Sequence, residues 1–256
     1  MTQAVGALVA IALSSIASPV LATDMPIGRP LSTPAFTWTS CHLGAHVGGG
    51  WARERIIDPV QLVQDAIIGP GTTVGLTTVS PSPSGAVIGG QMGCDYQFMS
   101  NWVMGIQGAA SGSSMKGSTT VMLPAGNPGD EALVNARADF LSSMTARLGF
   151  AFDRLLLYGK GGVGWVGDKY TVVGTLLGGG FGFEGLDLRT GWTAGGGIEW
   201  AFARNWSVSL EYDHYSVGHA TVLMSDRVNG FTGSLDVKQS VQLVKAGLNF
   251  HMWSIR

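Results

Sequence analysis

Gly191-Trp192-Thr193-Ala194-Gly195-Gly196-Gly197-Ile198-Glu199-Trp200-Ala201-Phe202-Ala203-Arg204-Asn205-Trp206-Ser207-Val208-Ser209-Leu210-Glu211-Tyr212-Asp213 is the stretch that decides how this chain folds. Trp192, Ala194, Gly196, Ile198, Trp200 and Phe202 are apolar or small and fall on alternate positions. After Ala203-Arg204-Asn205 the alternation resumes with Trp206, Val208, Leu210 and Tyr212, while Thr193, Gly195, Glu199, Ser207, Ser209, Glu211 and Asp213 take the positions between. A period of two belongs to strands, whose successive side chains point to opposite faces. The short link makes the pair a hairpin. A soluble sandwich alternates too, but it does not place large aromatics so regularly at exposed strand ends, as a sheet facing lipid does.

The same pattern extends outward from this hairpin. It predicts eight strands, near Thr37–Arg53, Gly85–Phe98, Trp102–Ser114, Ala138–Phe152, Leu155–Tyr170, Asp187–Phe202, Trp206–Val217 and Lys238–Met252. Met99-Ser100-Asn101, Asp153-Arg154 and Ala203-Arg204-Asn205 read as tight turns, and Glu54–Ser84, Met115–Arg137, Thr171–Leu186 and Gly218–Val237 as long loops. Short turns at one end and long loops at the other are the asymmetry of an all-β, eight-stranded antiparallel transmembrane β-barrel, with periplasmic turns and extracellular loops.

Composition agrees. Only 12% of residues are charged and there are 39 glycines. Mean hydropathy is positive, which is unusual for a water-soluble globule. Beyond the N-terminus no apolar run reaches the roughly 18 residues a spanning helix needs, and a closed barrel is the other structure that satisfies its backbone in lipid. The net charge of −2 and the absence of basic runs give no sign of nucleic-acid binding.

Residues 1–22 read as a signal peptide, with an apolar core from Ala4 to Ile16 and the small-residue pattern Val20-Leu21-Ala22 before Thr23. No Lys or Arg precedes that core. Residues 23–35, with Pro26, Pro30 and Pro34, form an extended periplasmic leader, and 36–256 form the barrel.

Aromatics give an independent measure. Trp38, Trp102, Trp200, Trp206 and Phe250, with Tyr96, Phe98, Phe150, Phe152 and Phe202, fall at the short-turn end; Trp51, Trp165, Trp192 and Tyr212 fall nearer the loops. These are expected to form two interfacial girdles. Trp192 and Trp200 share a face eight residues apart, or roughly 20 Å along a strand tilted by about 40°, close to the apolar band of about 25 Å.

Alternation sends Asp95, Arg147, Lys160, Glu199, Glu211, Asp213 and Lys245 into the lumen. Charges confined there must pair, since an isolated buried charge is costly, and eight strands enclose only enough room for side chains. A filling ion-pair network is therefore expected, in place of a charged pore lining. Cys41 and Cys94 lie near the short-turn ends of neighbouring strands, on the outer face; a disulfide is permitted, and two free thiols are the alternative. His42, His46, His214, His219 and His251 are scattered and make no metal-ligand spacing, so no metal or cofactor is expected.

Several stretches resemble the small outer-membrane β-barrel proteins of Alphaproteobacteria, similar to the 25 and 31 kDa surface proteins of Brucella and their rhizobial relatives. They are Pro34–Thr39, Gly44–Trp51, Tyr158–Trp165, Gly191–Phe202, Asn205–Tyr212 and Val244–Phe250. The resemblance implies a Gram-negative outer-membrane location. It also implies that Lys245, Gly247, Phe250 and Met252 act as a signal for the barrel-assembly machinery, although Trp253-Ser254-Ile255-Arg256 extend past it. Further implied partners are outer-membrane lipids and lipopolysaccharide, with external ligands at the loops. Some members bind haem, for which His214 or His219 with Tyr215 could supply ligands; lipid-modifying barrels suggest a weaker constellation of Asp213, His214 and Ser216. The expectation carried forward is a non-enzymatic surface protein that supports envelope integrity, the alternative being a narrow porin for small solutes.

Overall fold

In the computed structural model, the described residues are 36–57, 78–122, 129–226 and 232–254. The expected signal peptide and leader, 1–35, lie outside them. In chain order the strands are β1 (Ser40–Ile57), β2 (Thr78–Val79), β3 (Ser84–Phe98), β4 (Trp102–Met122), β5 (Glu131–Phe152), β6 (Leu155–Leu176), β7 (Gly179–Ala201), β8 (Trp206–Asp226) and β9 (Thr232–Ser254). β2 pairs only with Ile56 and Ile57 at the end of β1. The eight long strands each pair antiparallel with the next, and β1 pairs with β9. That last pairing closes the ring, so no long strand keeps an open edge in lipid.

Register fixes the size of the cylinder. Directly opposed residues run around the wall from His42 through Gly93, Gln107, Thr145, Gly162, Thr193, Tyr215 and Val241. Val241 opposes Ala52, so one circuit returns to β1 ten residues beyond its start. A stagger of that size over eight strands gives a tilt of about 40° and a backbone radius of about 8 Å. So narrow a cylinder is filled by its own inward side chains.

The two faces follow the alternation. Val47, Ile88, Met92, Ile106, Met144, Leu157, Ile198 and Leu210 are large apolar side chains exposed on the outside. They form the surface that lipid covers. Inside, polar layers alternate with apolar ones.

At the outer end the strands run further than the sequence reading places them. β4 continues to Met122 and β5 begins at Glu131; β8 continues to Asp226 and β9 begins at Thr232. Thr171–Leu186, expected as a loop, is strand on both sides of a two-residue turn at Leu177-Gly178. Thr171-Val172-Val173 and Phe181-Gly182-Phe183 carry the β-branched and aromatic residues that keep a ladder going. Both turn residues have positive φ, +52° and +79°, as a tight hairpin turn matching strand twist requires. Of the expected loop Glu54–Ser84, residues 58–77 lie outside the described residues. The short turns are as expected, with positive φ at Met99, Ser100 and Asp153.

Candidate functional site

The lumen is the site. All seven charges assigned to it by alternation are inside and buried. Near the short-turn end, Arg147 Nε lies 3.0 Å from Asp95 Oδ1 and its terminal nitrogen 2.9 Å from Glu199 Oε2. Its guanidinium also stacks over Tyr158, 4.3 Å from the ring centre. Glu199 accepts further hydrogen bonds from Ser207 Oγ (2.5 Å) and Asn249 Nδ2 (2.9 Å).

One level up, two cations face two carboxylates. Lys160 Nζ reaches Glu211 at 2.7 Å and Asp213 at 3.0 Å; Lys245 Nζ reaches Asp213 at 2.7 Å and Glu211 at 3.3 Å. Tyr158 donates its hydroxyl to Glu211. Opposite charges in equal number, each within hydrogen-bonding reach, offset the cost of burial that a lone ion would meet. Gln91, which donates to Asn249, carries the network on to His46 and Ser111.

Glycine makes the room. Gly105 opposes Asp95, Gly195 opposes both Lys160 and Asp213, and Gly197 opposes both Tyr158 and Glu211. A Cβ on Gly105 would fall 2.0 Å from Asp95 Oδ1, and one on Gly195 would fall 2.4 Å from Asp213 Oδ1. These inward glycines thus sit opposite inward charges and leave the space into which the ion pairs fit.

Three features lay outside the sequence reading. Above the central ions sits an apolar layer of Val87, Met115, Leu141, Val166, Tyr215, Val241 and Leu243. Above that is a second polar cluster: Arg189 contacts Asp168 Oδ2 at 2.5 Å, the Tyr170 hydroxyl at 2.5 Å and Gln239 Oε1 at 2.5 Å, and Gln239 Nε2 donates to Glu54 at 2.8 Å. Asp168 and Arg189 have the same parity as Lys160 and Glu199, which was the available signal. The third feature is a correction. Trp38, expected in a girdle, is fully buried at the short-turn mouth of the lumen. It precedes β1, where strand alternation does not apply, and it folds inward with its backbone N–H on Gln97 Oε1 (2.8 Å) and its indole N–H on the Asp153 carbonyl (3.0 Å). Packed with Val103, Ala151, Leu156 and Ala201, it forms the floor.

The remaining girdle residues Trp51, Trp102, Trp192, Trp200, Trp206 and Phe250 are exposed on the outer wall, with Trp165 partly covered. Trp102 packs edge-on against Phe150, and Trp206 against Phe250. Cys41 and Cys94 are directly opposed and joined in a disulfide. In the last strand Lys245 points inward, whereas Phe250 and Met252 point to lipid and Gly247 lies between Ser209 and His46.

The pairing of His214 with Tyr215 read for haem and the Asp213, His214 and Ser216 constellation read for lipid hydrolysis do not assemble. Tyr215 is buried inside while His214 packs against Trp192 on the outer side, and Asp213 is committed to the two lysines. The His219 side chain lies outside the described residues. Ser40, His251 and Glu199 do form a row, with Ser40 Oγ 2.9 Å from His251 Nδ1 and Glu199 3.5 Å from His251 Nε2. All three are buried directly above the Trp38 floor. Among the described residues, no group of three or more His, Cys, Asp or Glu side chains is placed to hold a metal ion.

Comparison with known proteins agrees with this architecture. Residues 61–250 match the family model described as outer membrane protein beta-barrel domain. Over 252 residues the chain is 27% identical to the 31 kDa outer-membrane immunogenic protein of Brucella melitensis, covering 93% of this chain and 94% of that protein, and equally to its Brucella suis counterpart. Among solved structures, the attachment invasion locus protein Ail of Yersinia pestis is 15% identical, covering 82% of this chain and 99% of that one, with a TM-score of 0.37. The outer membrane protease OmpT of Escherichia coli is 11% identical, covering 86% and 99%, with a TM-score of 0.47.

Proposed function

Because the chain belongs to the outer membrane protein β-barrel family, and so resides in the outer membrane of a Gram-negative bacterium, we propose that it is a structural surface protein whose filled barrel contributes to envelope integrity. The observation that carries this reading is the lumen itself. From the Trp38 floor through two ionic levels, an apolar layer and the Arg189 cluster, buried inward side chains pack or pair with one another at successive heights of the lumen. Such packing supports a stabilising role more than passage of solutes. The burial of Ser40, His251 and Glu199 likewise supports a non-enzymatic reading, since a substrate would have no approach to them.

In the same reading the barrel-assembly machinery recognises the end of β9 through the lipid-facing Phe250 and Met252. A deletion strain tests the function. Raised sensitivity to detergent with unchanged uptake of small solutes is expected; unchanged detergent sensitivity with slowed uptake would favour a narrow porin instead.

A further inference from the structure

Links of two to four residues join β3 to β4, β5 to β6, β6 to β7 and β7 to β8. A link that short fixes which residues of a hairpin face each other. The longest link, residues 58–83, separates β1 from β3, so no tight turn sets the register of that pair. Side chains specify it weakly as well. β1 carries Gly44, Gly48, Gly49 and Gly50, and β3 carries Gly85, Gly89, Gly90 and Gly93; Gly-rich strands are prone to slip. Yet β1 is the strand that must also meet β9 to close the ring. A slip of one residue would turn its lipid face into the lumen.

The disulfide stands in this ladder. Cys41 and Cys94 are directly opposed, and their bond spans a sequence separation of 53. Because a disulfide reaches only between Cα atoms within about 7 Å, it ties β1 to β3 at the native register and does for them what a tight turn does elsewhere. In the finished barrel no soluble enzyme reaches it. Cys94 lies on the outer wall between Met92 and Tyr96 and opposite Ile106, all exposed there. It is four residues inside Phe98, roughly 10 Å above the short-turn end at a 40° tilt. The inner leaflet's headgroups lie between it and the periplasm. Disulfide exchange needs a thiolate and direct approach to sulfur, and a thiolate set against hydrocarbon is costly.

We propose that the Cys41–Cys94 bond is an assembly staple, formed in the periplasm by exchange with a soluble protein disulfide before the strands enter the membrane, and that it holds β1 on β3 in register while the ring closes. In the exchange, one cysteine thiolate attacks the partner's disulfide and expels one partner thiolate. The second cysteine thiolate then attacks the mixed disulfide and releases the other. The two electrons and two protons that Cys41 and Cys94 give up leave on the partner, now a dithiol. The inference rests on the periplasmic placement of the short turns and is independent of whether the lumen conducts.

The test uses the full chain, refolded in the reduced state into phospholipid vesicles and shown to be folded by heat-modifiable gel migration. It is then exposed to oxidised glutathione, and the remaining thiols are counted after denaturation by the gel shift of a maleimide-linked polymer. The reduced chain in urea is the reference. Oxidation of the inserted barrel is expected to be slower on the order of 100-fold; comparable rates would overturn the order of events. A pulse-chase in cells, read by the same two gels, serves should the reduced chain not insert. Oxidised chain of unfolded mobility is expected to appear first, and folded, reduced chain that oxidises later would overturn the proposal. Refolding rates test the staple itself. Oxidised wild type should reach the folded mobility severalfold faster than C41A/C94A or reduced wild type, and equal rates would show that the bond does not guide assembly.

Discussion

At the residue scale, the barrel depends on charge balance in a closed space. Arg147 neutralises Asp95 and Glu199 together, at 3.0 and 2.9 Å. Replacing it with Met leaves two buried carboxylates without their shared cation: Asp95 keeps His42 and Glu199 keeps His251, each at 3.5 Å, and Glu199 keeps its hydrogen bonds from Ser207 and Asn249. We expect Arg147→Met to cost about 3–5 kcal/mol in urea unfolding from lipid vesicles. Adding D95N and E199Q should recover a substantial part, because the surviving groups are then neutral; a single variant as stable as wild type would contradict the pairing. The inward charges were legible from sequence because a pleated strand fixes parity: once Trp192 faces lipid, Thr193 and Glu199 cannot. Which charge meets which was not legible. Lys160 and Glu211 come from β6 and β8, which are not adjacent, and they meet across β7, where Gly195 and Gly197 leave the space between them. Trp38 escaped the same logic because it stands before the first strand.

At the element scale, the outer ends of the strands show where local residue preference and pairing part. The β6–β7 hairpin turns at Leu177-Gly178, and Leu177 holds φ at +52°. For a leucine that conformation costs on the order of 1 kcal/mol, whereas Asn tolerates it. Leu177→Asn is therefore expected to stabilise the barrel by about 0.5–1 kcal/mol, read as a raised urea midpoint; an unchanged or lowered midpoint would contradict the turn geometry. The sequence reading missed this turn because neither Asn-Gly nor Asp-Gly marks it, and the flanking glycines Gly174, Gly179 and Gly180 resemble a loop. It likewise ended β1 at Arg53 and so lost Glu54. The disulfide belongs to this scale as well. Cys41 and Cys94 join strands that already pair along twelve opposed positions, Ser40 to Trp51. Reduction should accordingly leave the gel migration of the unboiled protein unchanged. Conversion of the reduced, unboiled sample to the boiled mobility would show that the bond holds the ring shut.

At the scale of the whole molecule, closure, stagger and filling are one fact seen three ways. Eight strands with a ten-residue stagger leave a radius of about 8 Å, and that space is taken by ion pairs seated opposite glycines, between an aromatic floor and an Arg-centred cap. Fold class, membrane placement and the filling charges could be read in the chain, since each follows from alternation and composition. The apolar layer and the upper cluster could not, because they arise where extended strands bring distant residues to one height. The central claim is that nothing passes through this lumen. Single-channel recording in planar bilayers tests it most directly, using refolded protein of verified heat-modifiable migration and a 16-stranded porin as positive control. The expected trace shows no discrete conductance steps; uniform steps whose size changes when Asp213 and Lys245 are jointly replaced by Ala would contradict it.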